Sequence, residues 1–283
     1  MEETSILLLN SIMDEATDLC FTERKPLYKE KMVYYYTDID ALLNGIIVDE
    51  PKQDEEICLW ATRCTHLNDK KELVEGVNKL KRLIGPTAID KLRKDSRKGH
   101  SLSFSRKRDS LPMWSMYGKN GTGVMLALNT DVLVDKYGNR FQPCIYTGTK
   151  YDTKVFSIMK NRKWGDKYSK ATPNMKLIAI VCMCLQYIML LKNGAFEYEN
   201  ECRVIGIGAP CFASEKEREI FYRNKNFAIT PYIKEYLPKT VLQEIWLGPN
   251  NNPKLSKETL EEFLKSKGLT NVKVKTSKVP YRG

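Results

Sequence analysis

Apolar and polar positions change their period several times along the chain, and each change predicts an element. Residues 5–27 carry apolar side chains at irregular helical spacing and then a Lys- and Glu-rich stretch, consistent with a leading helix. Residues 32–36 are a β-branched and aromatic run and predict a strand. Thr37 and Asp38 then open a short helix that runs through Leu43 and stops at Asn44 and Gly45. Two more short strands are predicted at residues 46–48 and 57–62. Between residues 70 and 98, leucines, valines and isoleucines recur at three- and four-residue steps on either side of Gly85 and Pro86, the pattern of two helices joined by a break. Residues 101–105 alternate Ser, Leu, Ser, Phe, Ser and suit a half-buried strand. Residues 112–117 suit one helical turn, residues 123–128 a strand, and residues 141–146 its pairing partner.

A polar connector at residues 164–174 leads into the one long apolar run, residues 177–191. It is 15 residues long with Gln186 inside it, short of a membrane span, and reads as a buried core helix. Residues 196–207 read as a strand, with Gly206 and Gly208 at a strand end or bulge. A helix or loop of mixed charge follows at residues 214–226, then a strand at 244–247, a helix at 256–267 and a final strand at 272–275. Strands and helices intermix without regular alternation, with no repeat and no long linker. The fold class expected is α+β, a mixed or mainly antiparallel central sheet with flanking helices. One domain over residues 1–283 is expected: a leading helix in residues 1–30, a core in 31–250, and a C-terminal helix and strand in 251–283.

Composition changes this picture in two places. The 46 Lys and Arg against 35 Asp and Glu give a formal charge of +11, which favours an anionic partner such as a dinucleotide or nucleic acid. The bases are scattered in short groups such as Arg106, Lys107 and Arg108, so a solvated surface also accounts for them. The eight cysteines include no CxxC pair, and the two histidines, His66 and His100, supply no matching ligand pair. Several thiols sit among apolar residues, as in the run Val181, Cys182, Met183, Cys184, Leu185. Reduced thiols in a cytoplasmic protein are expected, with no metal and no membrane association. Acids at Glu2 and Glu3, where a secretory leader carries bases, agree with that expectation.

The residues that carry chemistry concentrate at 196–205. Read as a strand, this segment projects Glu197, Glu199, Glu201 and Arg203 from one face, about 7 Å apart along it. The row is either a solvated face whose like charges Arg203 offsets, or a catalytic edge with one carboxylate held by a base and another free to act. Elsewhere, Asn68 and Asp69 precede a helix and are most simply its N-cap. Trp114 and Tyr117, three apart, suit a core aromatic pair.

Four groups stand in order: Tyr35, Tyr36 and Thr37; then Leu67, Asn68 and Asp69; then Ser103, Phe104 and Ser105, followed by Met113, Trp114, Ser115, Met116, Tyr117 and Gly123; and last Glu199, Asn200, Glu201, Cys202 and Arg203. This order resembles the bacterial family known as domain of unknown function 2971, over about residues 30 to 250. At a weaker level the arrangement is similar to the ADP-ribosyltransferase fold, whose opening strand carries Arg or His where this chain has Tyr35. That second resemblance implies an NAD-using enzyme. Glu201 would stabilise positive charge on the ribose, and Glu199 would orient a nucleophile or accept its proton. Arg203 would keep the acids ionised. Ser103 and Ser105 would bind the nicotinamide ribose, and Tyr36 or Trp114 would stack on a flat ring, within a cofactor set that also takes in Tyr35, Thr37 and Tyr117. A bacterial defence or toxin-like role is a further implication.

Three functions are carried forward. The first transfers ADP-ribose from NAD to a macromolecule, or hydrolyses NAD. The second is a nucleic-acid-binding or nuclease-like protein, with Glu199, Glu201, Asp69 and Asp109 as acids that the fold would gather for Mg²⁺. The third is a non-catalytic partner-binding module in which the acidic strand is an exposed sheet edge.

Overall fold

The computed structural model describes residues 3–281 apart from 53–54, 70, 163, 210–217 and 226–227. Its framework is an eleven-stranded sheet of mostly antiparallel strands. The strands, in chain order, are β1 (Met32–Thr37), β2 (Ile47–Lys52), β3 (Glu55–Arg63), β4 (His100–Ser105), β5 (Val124–Asn129), β6 (Phe141–Pro143), β7 (Ile145–Tyr146), β8 (Leu191–Lys192), β9 (Glu201–Ile207), β10 (Phe221–Lys225), β11 (Ala228–Leu237), β12 (Leu242–Leu247) and β13 (Lys273–Thr276). The main path runs β10-β11-β3-β4-β1-β5-β12-β13, with β2 added to β3, β9 to β4 and β6 to β9. Only β12 and β13 run parallel within it, and β7 and β8 form a separate parallel pair. The α+β class and the mainly antiparallel sheet are therefore as expected.

The helices that bear on the site are α1 (Glu3–Cys20), α2 (Glu72–Leu80), α3 (Pro86–Ser96), α4 (Leu111–Tyr117), α5 (Lys150–Asn161) and α6 (Pro173–Leu190). Helix α6 contains most of the long apolar run, and it is the one described helix long and apolar enough to cross a membrane. It is 61% buried inside the fold. Thr172 caps it, accepting from Met175 N, and Pro173 occupies the first turn, where a missing N–H costs nothing. Helices α1, α2, α3 and α5 surround α6 and bury Ile12, Val77, Leu92, Val155, Met183 and Ile188 in one core. A second core lies under the sheet, where Leu102, Phe104, Cys202 and Val204 point down from β4 and β9. Alternation then sends Ser101, Ser103, Ser105, Glu201 and Arg203 to the opposite face.

One irregularity in the sheet decides where a ligand fits. Along one edge β4 pairs with β9, in unbroken register from Leu102 to Ser105 after a shift next to His100, with Ser103 opposite Arg203 and Ser105 opposite Glu201. Its other edge is shared. His100 and Ser101 pair with β3, Ser105 pairs with β1, and the residues between have no partner strand. Strands β1 and β3 thus diverge over the middle of β4, and a fork opens above Ser103.

Several expectations need correction. Residues 141–146 do not pair with β5; β6 adds to β9 and β7 to β8. The mixed-charge segment contributes the strand β10, and its earlier residues 214–217 lie outside the described region. The polar connector contains a short helix, Asp166–Lys170. Residues 196–205 are not one strand. Asn193 caps a 3₁₀ helix, Gly194–Glu199, Asn200 turns left-handed at φ 44°, and only then does β9 begin. A short amide side chain bonds locally and tolerates that backbone, so the two asparagines convert an apparent strand into a turn.

Candidate active site

The turn brings Glu199 back beside Glu201. Glu197 is exposed on the far side of the 3₁₀ helix, so the predicted row of three acids reduces to two. Both survivors are almost fully buried, together with Lys192 and Arg203. Lys192 Nζ bonds Glu199 Oε2 and Glu201 Oε2. The Arg203 guanidinium holds Glu201 with a fork, Nε to Oε1 at 2.7 Å and Nη2 to Oε2 at 3.0 Å. Two acids and two bases form a neutral quartet.

Each member is fixed by backbone as well. Arg203 Nη1 donates to Met189 O at 3.0 Å, satisfying a carbonyl at the C-terminal end of α6, where a cation is favoured. Lys192 follows α6 directly, and pairing of β8 with β7 turns its side chain inward. Glu201 N donates to Tyr146 Oη at 2.7 Å. Ser105 Oγ donates to Glu199 O at 2.7 Å and accepts from Lys107 N at 3.0 Å. On the open side, Tyr117 Oη donates to Glu199 Oε1 at 2.8 Å and accepts from Asn68 Nδ2 at 2.8 Å. Asn68 and Asp69 are therefore not an N-cap. Asp69 Oδ2 accepts from Asn193 N at 3.2 Å, and the helix that follows starts at Glu72.

Burial and charge compete within the quartet. Burial alone would raise the Glu201 pKa, but Arg203 and Lys192 overcome it and hold the carboxyl well below the usual range. Burial pushes the Lys192 ammonium down, and Glu201 and Glu199 reverse that, so it titrates above the ordinary lysine value. Burial next to Glu199 raises the Tyr117 hydroxyl, which therefore stays a donor at neutral pH.

The fork in the sheet opens into a cleft of about 360 Å³, with this quartet at one end. Tyr35, Tyr36, Thr37, Ser103, Ser105, Tyr117, Glu199, Glu201 and Arg203, predicted from sequence, all border it. They differ in what remains available. Ser103 is half-buried and has no hydrogen-bond partner among the described residues, whereas both roles of Ser105 are used by backbone. Tyr36 is 7% exposed; its hydroxyl donates to Lys107 O and accepts from Ser110 N, which makes it wall rather than contact. Trp114 is a correction. It is fully buried behind Tyr36, edge-on at 5.0 Å, with its indole N–H on Asp109 Oδ1, and cannot stack on a ligand.

Unforeseen residues complete the cleft. Trp60 and Thr62 from β3 and Arg223 and Lys225 from β10 line it too, with Lys225 near enough to Glu201 and Glu199 to feel their charge, and Lys192 joins the predicted acids. Trp60 packs where a Cβ on Gly45 would lie 2.0 Å from its ring, and a Cβ on Gly123 would lie 2.2 Å from Thr37 O. Both glycines keep the walls close. The acids invoked for a metal site do not gather. Asp109 serves Trp114 and Lys278 N, Asp69 serves Asn193, and no group of three potential ligands occurs among the described residues. The basic run is engaged too, Arg106 with Glu30 and Arg108 over the Trp246 ring. The acidic strand is not a free edge, since β9 lies between β4 and β6.

Residues 113–204 match the model of a family described as protein of unknown function (DUF2971). The span includes Trp114, Tyr117, Lys192, Glu199, Glu201 and Arg203, so the quartet lies wholly within it, whereas Tyr35, Ser103, Arg223 and Lys225 lie outside. Comparisons with curated proteins and with solved structures give no match.

Proposed function

We propose that the cleft binds a nucleotide and cleaves an N-glycosidic bond, with NAD as the substrate and ADP-ribose passed to water or to a hydroxyl of a macromolecule. The observation that carries this reading is the fork above Ser103, where a serine with an unused hydroxyl and two carboxylates from a segment about a hundred residues later face one cleft. In the step, the bond between ribose C1′ and the pyridinium nitrogen breaks and its electron pair leaves with neutral nicotinamide. Positive charge develops on the ribose, which the fixed carboxylates stabilise. A new C1′–O bond then forms, and the attacking hydroxyl gives its proton to Glu199. Glu201, held ionised by Arg203 and Lys192, acts through its charge. Ser103 takes a ribose hydroxyl, and Tyr35 forms the wall beside it.

The described cysteines are all free thiols, which supports a reducing compartment for this chemistry. The test is release of nicotinamide from labelled NAD, read against Glu199→Gln. That amide still accepts from Tyr117 but takes up no proton, so turnover should fall by roughly 10²- to 10⁴-fold while NAD binding stays within a few-fold. Folded wild-type protein that neither binds NAD nor releases nicotinamide would remove the proposal.

A further inference from the structure

The β10 side of the cleft has a charge problem of its own. Strand β10 is an edge strand, paired only with β11. Its alternate residues Phe221, Arg223 and Lys225 are half-buried while Tyr222 and Asn224 are exposed, so both cations lie on one side, about 7 Å apart along the strand. That side borders the cleft.

Arg223 is held without an acid. Its guanidinium lies 4.9 Å from the centre of the Trp60 ring and 5.3 Å from that of Tyr232, and Nη2 donates to Thr62 Oγ1 at 2.8 Å. Its Nε is buried with no partner among the described residues. Lys225 has no acidic partner within ion-pairing distance among the described residues either. Burial, with the Arg223 charge next to it, lowers the Lys225 ammonium to about 8, and the carboxylates of Glu201 and Glu199 offset this only partly because Lys192 stands with them. Two cations thus border the cleft with no acid ion-paired to either among the described residues, while Glu199 and Glu201, the carboxylates that reach Lys225 through their charge, are already paired with Lys192 and Arg203. Asp38, the other acid of the cleft, is committed to capping a short helix through Ala41 N.

We propose that Arg223 and Lys225 form an anion subsite that takes the diphosphate of a nucleotide. A planar fork with unused N–H groups and a neighbouring ammonium match phosphoryl oxygens, and the Trp60 and Tyr232 faces keep the guanidinium in place. The subsite deepens the nucleotide reading and rests on it for the identity of the anion. With the diphosphate at Arg223 and Lys225, the attached ribose extends toward Ser103 and the quartet.

Isothermal titration of the full chain with ADP, inorganic pyrophosphate and adenosine tests it. ADP and pyrophosphate should bind and adenosine should bind at least about tenfold more weakly. Arg223→Lys, which keeps charge and loses the fork, and Lys225→Gln should each weaken ADP roughly tenfold. Because a bound anion raises the Lys225 pKa, binding at pH 8 should take up protons in the wild type and not in Lys225→Gln. ADP binding more tightly than pyrophosphate assigns a nucleotide, and equal affinity assigns a free diphosphate to the same subsite. No heat with either ligand, unchanged affinity in both variants, or displacement of ADP by short single-stranded DNA at lower concentration would overturn the proposal. The two proposals fail separately. ADP binding without nicotinamide release leaves the subsite standing and removes the catalytic reading. Nicotinamide release with unaltered ADP affinity in the variants does the reverse.

Discussion

The two ends of the cleft solve opposite electrostatic problems. At the Glu199 end, two acids and two bases are buried and cancel, with Glu199 also bonded to Tyr117 and Arg203 to a backbone carbonyl. At the Arg223 end, two bases stand together with aromatic rings and a threonine around them and, among the described residues, no ion-paired acid. Desolvating a charge costs several kcal/mol unless a partner returns it, so the first end is complete in the free protein and the second is the one that a bound anion would complete. A site divided this way separates geometry from affinity. On the proposed reading the quartet would hold carboxylates where a ribose reacts, and the cation pair would draw in the anion that brings it there.

The largest effect should come from making the first end resemble the second. Lys192→Met removes a cation that touches both Glu199 and Glu201 and leaves the two buried acids beside Arg203. Breaking a buried ion pair from one side costs about 3–5 kcal/mol, so the urea midpoint should fall sharply with no change in slope. A Lys192→Met protein as stable as the wild type would mean that the quartet is hydrated and not the closed unit described.

How much of this was legible depends on the range of each contact. Alternation within residues 101–105 correctly put Ser103 and Ser105 on one face, and Glu201 with Arg203 two apart on another strand, because period two is a local property. The turn at 193–200 was misread because the alternating acids outweighed Asn193, Gly194 and Asn200, the residues whose backbone preferences end a strand. Lys192 stands directly after the apolar run 177–191, and nothing local to it reveals two glutamates beyond the next turn. Arg223 and Lys225 sat in a stretch of mixed charge, and their lack of acids is a property of strands far apart in the chain. Trp114 invites a stacking role as any tryptophan near a motif does; only packing shows Tyr36 in front of it.

The two buried lysines, one at each end, should make stability depend on pH with opposite signs. Glu201 titrates below its unfolded value, so its contribution is present above about pH 4.3 and is lost as pH falls through the lower folded value. Lys192 titrates above its unfolded value, so its contribution holds below about pH 10.4 and disappears above that. Lys225 behaves inversely to Lys192. With a folded value of about 8, the unfolded chain binds the extra proton between there and about 10.4, and stability should rise with pH in that window. Comparing wild type with Lys225→Gln by denaturant titration at pH 7.5 and 9.5 isolates the term. An identical change in both proteins would place Lys225 in bulk water and blunt the contrast between the two ends.

The smallest predicted effects separate two serines on one strand. Ser105 spends its hydroxyl on Glu199 O and Lys107 N, so Ser105→Ala should cost about 1–2 kcal/mol of stability by loosening the turn that carries Glu199. Ser103 faces the fork with nothing bonded to it among the described residues, so Ser103→Ala should leave stability within about 0.5 kcal/mol and act only on a bound ligand. Its loss of one hydrogen bond to a ribose should weaken NAD by roughly 3- to 10-fold and leave pyrophosphate untouched, since the diphosphate sits at the other end. Equal losses for NAD and pyrophosphate would mean that Ser103 supports the cleft as a whole, and the division of labour between its two ends would then have to be redrawn around the strand that joins them.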